Sequence, residues 1–239
     1  MGAPVARVED PRLLRGEGRY LDDLGQDALA VAFVRSPHAH ARVLDVDADG
    51  ALDVEGVVAI YTYEDLLESD RSDGTHVSEP LPLLIPHPGL HSPRTAYPLA
   101  REEVNHVGEA IVMVVATDRY LAEDACGRIV VRYEPLPPVV GVPAAREAVH
   151  AVHRDVPDNI AAHLVQEVGD LGAAMATAPH RLTLDLHVER SAAMPMEGKG
   201  VYARWDTDDH TLRVYTSTQA TTSVRAAVAA KLGLALNTV

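Results

Sequence analysis

The residues with the clearest capacity for chemistry lie between positions 36 and 56, in the stretch SPHAHARVLDVDADGALDVEG. Three alternating aspartates precede a glycine (D-x-D-x-D-G, residues 45–50), as in an EF-hand calcium loop. Such a loop needs a bidentate glutamate at its twelfth position, but Gly56 stands there and Glu55 comes one residue early. The flanking runs RVLDVD and GVVAIYT are β-type, whereas EF-hand loops join helices. The pattern therefore favours an acidic connection between two strands.

The same stretch holds His38 and His40, which could ligate a metal from one face of an extended segment. Zinc needs three or four protein ligands, and no spacing marks a partner set among the downstream histidines, His76, His87, His91 and His106. Because Pro37 fixes a turn, we expect the two histidines to form hydrogen bonds in a packed corner. We predict no metal ligands in this chain.

Other catalytic signals are weak. Ser36, Ser191 and Ser217 lack the G-x-S-x-G setting of a hydrolase nucleophile, and no G-x-G-x-x-G loop follows a strand. Cys126 is the single cysteine, and its apolar neighbours at helical spacing favour an inert, buried thiol. The residues by themselves indicate no catalytic constellation.

Composition narrows the class of protein. The chain has 239 residues, 47% of them hydrophobic, which is enough for a substantial core. Its net charge of −14 argues against nucleic acid as a partner. No apolar run reaches the length of a bilayer span and no secretory signal is evident, so we expect a cytoplasmic protein that does not enter the membrane.

The spacing of apolar residues along the chain predicts which segments form helices and strands. Residues 1–16 read as an arm in which Asp10-Pro11 starts a short helical turn that ends at Gly16. Strands are predicted at LAVAFVR, RVLDVD (with Val43, Asp45 and Asp47 on one face), GVVAIYT and IVVRYEPL, and a short helix at YEDLLES. AIVMVVAT (110–117) suits a strand covered on both faces, and Asp118 can cap the helix that follows it. The proline-rich stretch 69–98 predicts a surface excursion without a helix.

A second unit begins near residues 141–148, where prolines break the pattern. HRLTLDLHVER (180–190) alternates most cleanly and predicts a half-buried antiparallel strand. GVYARWD and TLRVYTST predict a hairpin. The last helix should be capped by Thr222 or Ser223 and end at Gly233 in a left-handed conformation.

Five blocks, read in order, resemble one family: EDPRLLRGEGRYLDDL, AFVRSPHAHARVLDVD, VNHVGEAIVMVVATDRYLAEDACGRIVVRYEPLP, MPMEGKGVYARWD and TSTQATTSVRAAVAAKLGL. They are similar to the N-terminal part of the large subunit of the molybdenum hydroxylases, which include xanthine dehydrogenases, aldehyde oxidases and aerobic carbon monoxide dehydrogenases. The resemblance implies an α+β fold. After the arm (1–16) it places an α/β hammerhead domain at 17–145 and an incomplete first molybdopterin-binding domain, a mixed sheet with helices, at 146–239.

The resemblance also implies cofactors and partners. The complete complex is expected to hold molybdopterin cytosine dinucleotide, [2Fe–2S] clusters and FAD. None is expected on this chain alone, because the glycine-rich cofactor loop and the catalytic glutamate of the family would follow Val239. The expected partners are the remaining subunits or the C-terminal half, and exposed strand edges also predict self-association.

Two residues match family positions near the cofactor, Glu197 and Gln219, and are the candidate cofactor-binding residues. A structural hydrogen bond near the sheet is the alternative role for both. The chain departs from the family in reading PMEGKG (195–200) where many relatives read PMEPRG, and in offering Ser191 and small apolar residues where xanthine dehydrogenases place a glutamine.

The expected function is therefore that of an N-terminal portion or split subunit of a hydroxylase that oxidises aldehydes, N-heterocycles or a similar small substrate, inactive alone. The alternative is a non-catalytic scaffold that keeps the hammerhead fold.

Overall fold

The structure is a computed structural model that describes residues 2, 4–24, 27–73, 75–80, 83, 87–93, 95–189 and 191–239. Its elements are listed here in chain order: α1 (Asp10–Leu13), a 3₁₀ turn (Leu21–Asp23), β1 (Ala30–Arg35), β2 (Ala41–Asp47), α2 (Asp49–Leu52), β3 (Val57–Tyr61), α3 (Tyr63–Asp73), β4 (Glu103–Val104), β5 (Ala110–Ala116), α4 (Arg119–Cys126), β6 (Val130–Pro135), α5 (Val142–Glu147), α6 (Leu171–Thr177), β7 (Val201–Asp206), β8 (Thr211–Thr216), α7 (Thr221–Lys231) and a second 3₁₀ turn (Leu236–Thr238).

The first sheet has the antiparallel order β1-β5-β3, and helix α4 packs against it. β5 is the apolar run predicted at 110–117, and its Val112 and Val114 are fully buried in the core. The prediction that both faces of this strand are covered holds only in part, because Met113 and Val115 on the other face are half-buried. Asp118 caps α4 as predicted, accepting a hydrogen bond from Leu121 N–H at 3.0 Å.

The second sheet has the order β4-β2-β6. A bulge between Val43 and Asp45 leaves Leu44 without a partner on β6, so that both Val43 and Val46 pack against the core. Simple alternation, which placed Val43, Asp45 and Asp47 on one face, was therefore wrong for this strand.

Helix α3 corrects the prediction for residues 69–98. It runs to Asp73, into the stretch that was expected to hold no helix. The physical reason is that the first proline of the stretch is Pro80, so nothing breaks the helix before it. Further along, Leu90 pairs with Ala162 in an isolated antiparallel bridge, and His76 N–H donates to the Lys231 carbonyl at 2.8 Å. The excursion therefore joins the two halves of the chain.

The predicted strand at 180–190 is not found in the described residues. Residues 180–189 pair with no strand there, and Leu182 and Val188 are 83% and 89% exposed. Residue 190 lies outside the described part. Alternation specifies which face a strand buries, but a strand forms only where another strand accepts its backbone hydrogen bonds.

The rest of the second unit follows the sequence more closely. β7 and β8 form the predicted hairpin, with Tyr202 opposite Tyr215. α7 is not capped by Thr222 or Ser223, because Ala220 occupies the N-cap position and no side chain accepts a hydrogen bond there. Gly233 takes the predicted left-handed conformation, with φ of 62°. No helix in the described part of the chain combines the length and apolar character needed to cross a bilayer.

Candidate functional site

The PMEGKG loop (195–200) and the STQA turn (217–220) lie side by side, as the two ends of the β7–β8 hairpin require. Thr216 Oγ1 donates to the Gly200 carbonyl at 3.0 Å, and Ser217 Oγ donates to the Gly198 carbonyl at 3.5 Å. The hairpin thereby brings together two stretches that are 16 and 19 residues apart at these contacts. Both candidate cofactor-binding residues belong to this pair of segments.

Glu197 is half-buried and already has a partner. Its Oε1 accepts a hydrogen bond from the backbone N–H of Leu21 at 2.8 Å, across 176 positions of sequence. Leu21 opens the 3₁₀ turn Leu21–Asp23, whose geometry is fixed by Tyr20 N–H donating to Asp23 Oδ2 at 2.7 Å. Glu197 thus makes a structural hydrogen bond through one of its two carboxylate oxygens.

Gln219 differs from Glu197 because its side chain is exposed. It lies in the turn just before α7, where Thr218 Oγ1 accepts a hydrogen bond from Ala220 N–H at 3.1 Å. Lys199, on the neighbouring loop, is also exposed. Adjoining segments therefore present the amide of Gln219, the ammonium group of Lys199 and the N-terminus of α7, which has no side-chain cap. The amide, the positive charge and the helix dipole together favour an anionic ligand.

The histidine corner at 36–40 is a packed turn. His38 N–H donates to Ser36 Oγ at 3.0 Å, and the His38 ring meets Tyr133 edge to face with centroids 4.7 Å apart. His40 Nδ1 lies 3.0 Å from the Pro137 carbonyl, which can only accept, and its Nε2 is 3.8 Å from Glu103 Oε2. Both histidines therefore have the packing role predicted for them.

The aspartates of the apparent calcium loop serve the strands and the turn instead. Asp45 pairs with Arg132 of β6 at 2.8 Å, and Asp47 Oδ1 accepts from Asp49 N–H at 3.2 Å. Among the residues that the structure describes, no group of three or more His, Cys, Asp or Glu side chains could hold a metal ion.

Cys126 is half-buried at the end of α4. Desolvation by burial, together with the negative charge of Glu123, raises the pKa of its thiol. A raised pKa lowers the fraction of reactive thiolate, in agreement with the inert role predicted for this residue.

Sequence reasoning missed the residues that organise the connection between the two halves. Asn159 adopts a left-handed conformation, accepts a hydrogen bond from Val152 N–H at 2.8 Å and donates to the His150 carbonyl at 2.9 Å. Arg154 forms ion pairs with Glu102 and Glu103, beside and within β4. The one available signal was the sequence DN at 158–159, since asparagine tolerates positive φ.

Two protein-family profiles match the chain. Residues 15–137, just over half of it, match the profile described as aldehyde oxidase and xanthine dehydrogenase, a/b hammerhead domain. Residues 152–239 match the profile of a molybdopterin cofactor-binding domain. The chain therefore belongs to the aldehyde oxidase and xanthine dehydrogenase family of molybdenum hydroxylases, and its fold is the hammerhead domain followed by the start of a molybdopterin-binding domain.

Similar proteins agree with this assignment. The chain is 32% identical over 226 residues to the nicotine 6-hydroxylase large subunit of Paenarthrobacter nicotinovorans, covering 92% of this chain and 26% of that one. It is 29% identical to the carbon monoxide dehydrogenase large chain of Hydrogenophaga pseudoflava, covering 95% of this chain and 28% of that one. The crystal structure of quinoline 2-oxidoreductase from Pseudomonas putida 86 superposes with a TM-score of 0.81 at 32% identity, covering 98% of this chain and 29% of that one. The chain thus spans about a quarter of the length of the curated relatives it matches.

Proposed function

We propose that this chain is the N-terminal portion, or a split subunit, of a molybdenum-dependent hydroxylase, and that it is inactive without the rest of the enzyme. The observation that carries the proposal is the ordered match of both family profiles, over residues 15–137 and 152–239, in a chain that spans about a quarter of its relatives. We propose domain boundaries near those of the sequence pattern, 17–145 for the hammerhead and 146–239 for the incomplete molybdopterin-binding domain.

Within the substrate classes of the family, the proposal favours N-heterocycles over aldehydes. Two relatives at 32% identity are a nicotine 6-hydroxylase and a quinoline 2-oxidoreductase, and nicotine and quinoline are both nitrogen heterocycles. Over nearly the whole chain, an aldehyde oxidase and one carbon monoxide dehydrogenase large chain are each 29% identical, and a second carbon monoxide dehydrogenase large chain is 39% identical over 59% of this chain.

The residues present fit part of a molybdopterin cofactor. A pterin with phosphate groups needs many hydrogen-bond donors and positive charge around its anionic end. The exposed Gln219 amide, the Lys199 ammonium group and the N-terminus of α7 supply donors of that kind on adjoining segments. When bound, the molybdenum cofactor supplies the centre that takes electrons from the substrate. The other hydrogen-bond donors to the pterin belong to the rest of the proposed complex. The [2Fe–2S] clusters and the FAD belong there too.

We propose Gln219 as a direct cofactor-binding residue, because its amide is exposed beside the helix terminus. We propose an indirect role in cofactor binding for Glu197, which lies in the adjoining loop. One of its carboxylate oxygens accepts a hydrogen bond from Leu21 and so helps to position that loop. The proposal places the complex in the cytoplasm, with the remaining large-subunit polypeptide and the electron-transfer subunits as partners. Pairing with another copy of this chain is the competing form of association.

Co-expression tests this function. The chain, carrying an affinity tag, is expressed with the genes that neighbour its own, and the purified complex is assayed with quinoline, nicotine and an aromatic aldehyde in the presence of an artificial electron acceptor. We expect a complex that oxidises at least one heterocycle, while the isolated chain oxidises none. A stable complex that oxidises none of the three and carries no molybdenum would favour the scaffold alternative.

A further inference from the structure

The N-terminal segment 20–24, at the start of the hammerhead domain, lies against the PMEGKG loop of the second unit. On one side, Asp22 is close enough to Arg119, the first residue of α4, to contribute to raising the pKa of that guanidinium, after the larger effects of the Glu123 hydrogen bond and charge. On the other side, Leu21 contacts the loop. The segment therefore links the hammerhead domain, to which it belongs, with the second unit.

The contact with the loop involves both backbone and side chain of Leu21. Its N–H donates to Glu197 Oε1 at 2.8 Å. Its side chain packs against Gly200 so closely that a Cβ added to this glycine would lie 3.0 Å from Leu21 Cδ1. The third and sixth residues of PMEGKG thus meet the same N-terminal residue.

The PMEGKG loop is in turn hydrogen-bonded to the segment that holds Gln219. Gly198 accepts the hydroxyl hydrogen bond of Ser217, the first residue of the STQA turn, and Gly200 accepts that of Thr216 just before it. The sequence of contacts runs from Leu21 through Glu197 and the loop to the segment proposed to face the cofactor. Little else packs against the loop, because four of its six residues, Pro195, Met196, Gly198 and Lys199, are exposed.

From these contacts we infer that Glu197 and the Leu21 N–H form a latch that holds the N-terminal segment 20–24 on the PMEGKG loop, with Glu197 acting as a positioning residue. The structural part of this inference stands on the chain itself, and its consequence for cofactor retention rests on the proposed function. A hydrogen bond to a charged acceptor that is half-buried is worth more than an exposed one, so its loss should be measurable at Leu21.

The test compares Glu197→Ala with Glu197→Gln, whose amide oxygen can still accept from Leu21 N–H. The matched control is Glu189→Ala, which removes an exposed glutamate of the same unit whose partner is His187. Two readouts report on the latch in the isolated chain: amide hydrogen exchange of the peptide that contains Leu21, and the rate of tryptic cleavage after the exposed Arg19. Circular dichroism checks that each variant is folded.

We expect Glu197→Ala to accelerate exchange at Leu21 by about 10- to 100-fold and to speed cleavage after Arg19, as loss of a charge-assisted hydrogen bond implies. Glu197→Gln should stay within about threefold of the parent chain, and Glu189→Ala should match it. Equal exchange and cleavage in Glu197→Ala and Glu189→Ala would overturn the latch.

A second arm uses the assembled complex and measures its molybdenum content. The latch predicts that Glu197→Gln retains molybdenum and that Glu197→Ala loses part of it. Loss of molybdenum in Glu197→Gln with Leu21 still protected would overturn the positioning role, because the carboxylate would then contact the cofactor itself. If the parent complex holds no molybdenum, the proposed function fails while the exchange data still decide the latch.

Discussion

Gly56 offers the sharpest test of how the hammerhead packs, because a matched control exists in the same domain. Gly56 and Gly108 have nearly equal positive φ values, 88° and 89°. A Cβ added at Gly56 would lie 2.6 Å from Thr117 Oγ1 and 2.7 Å from Leu121 Cδ1, whereas at Gly108 it would meet nothing within 4 Å. Alanine at either position strains the backbone, but only at Gly56 does it also push on the start of α4.

The cost of backbone strain and the cost of overpacking can be estimated separately. A left-handed conformation costs an L-residue about 1–2 kcal/mol, so this is the expected loss for Gly108→Ala. Overpacking adds about 1–3 kcal/mol, which brings Gly56→Ala to about 2–5 kcal/mol. At a urea slope of about 2 kcal/mol/M, the difference between the variants corresponds to a midpoint shift of roughly 0.5–1.5 M.

Urea unfolding followed by far-ultraviolet circular dichroism measures both variants against the parent chain. The midpoint of Gly56→Ala should fall clearly below that of Gly108→Ala. Equal midpoints would mean that Thr117 and Leu121 do not approach Gly56 as closely as the structure has them.

Three further predictions concern single side chains. Asp118→Ala should lower the free energy of unfolding by about 1 kcal/mol through loss of the α4 cap, whereas Asp124→Ala, on the exposed side of the same helix, should change it by less than about 0.5 kcal/mol; equal losses in urea unfolding would contradict the capping role. Cys126 should react with iodoacetamide more slowly in the folded chain than in urea at the same pH, because burial raises the pKa of its thiol; equal rates would contradict this. Backbone N–H groups of Asp209 and Asp208 lower the pKa of Asp206, so its contribution to stability is present above the pKa of the unfolded chain and is lost as the pH falls through the folded value. Asp206→Asn should therefore flatten the acid limb of stability against pH, and an unchanged limb would count against the assignment.

Local sequence signals predicted much of the fold correctly. The β-branched run at 110–117 became the central strand of its sheet, Asp118 caps the helix after it, and Gly233 adopts the left-handed conformation that ends α7. The helix cap and the left-handed glycine depend on the residue itself or on neighbours within one turn, whereas the strand also needed partners, which β1 and β3 supply. The family blocks added what such signals cannot give, the identity of the two domains, because they compare the whole order of the chain.

Several failures of the sequence analysis depend on distant partners. The alternation at 180–190 specified a face but not the neighbouring strand that would bury it. The bulge at Leu44 is set by register against β6, and the engagement of Glu197 by Leu21 spans 176 positions. Matching a family position singled out Glu197, but only the three-dimensional contact identified its partner.

The molybdenum content of the purified complex decides whether this chain is part of a molybdenum hydroxylase. The tagged chain is co-expressed with its neighbouring genes, the complex is isolated by affinity and size-exclusion chromatography, and molybdenum is quantified by mass spectrometry for each copy of the chain. We expect a complex with close to one molybdenum per copy of the chain and none in the chain purified alone. A stable complex of the chain with its partners that is free of molybdenum, from cells that load other molybdenum enzymes, would contradict this expectation.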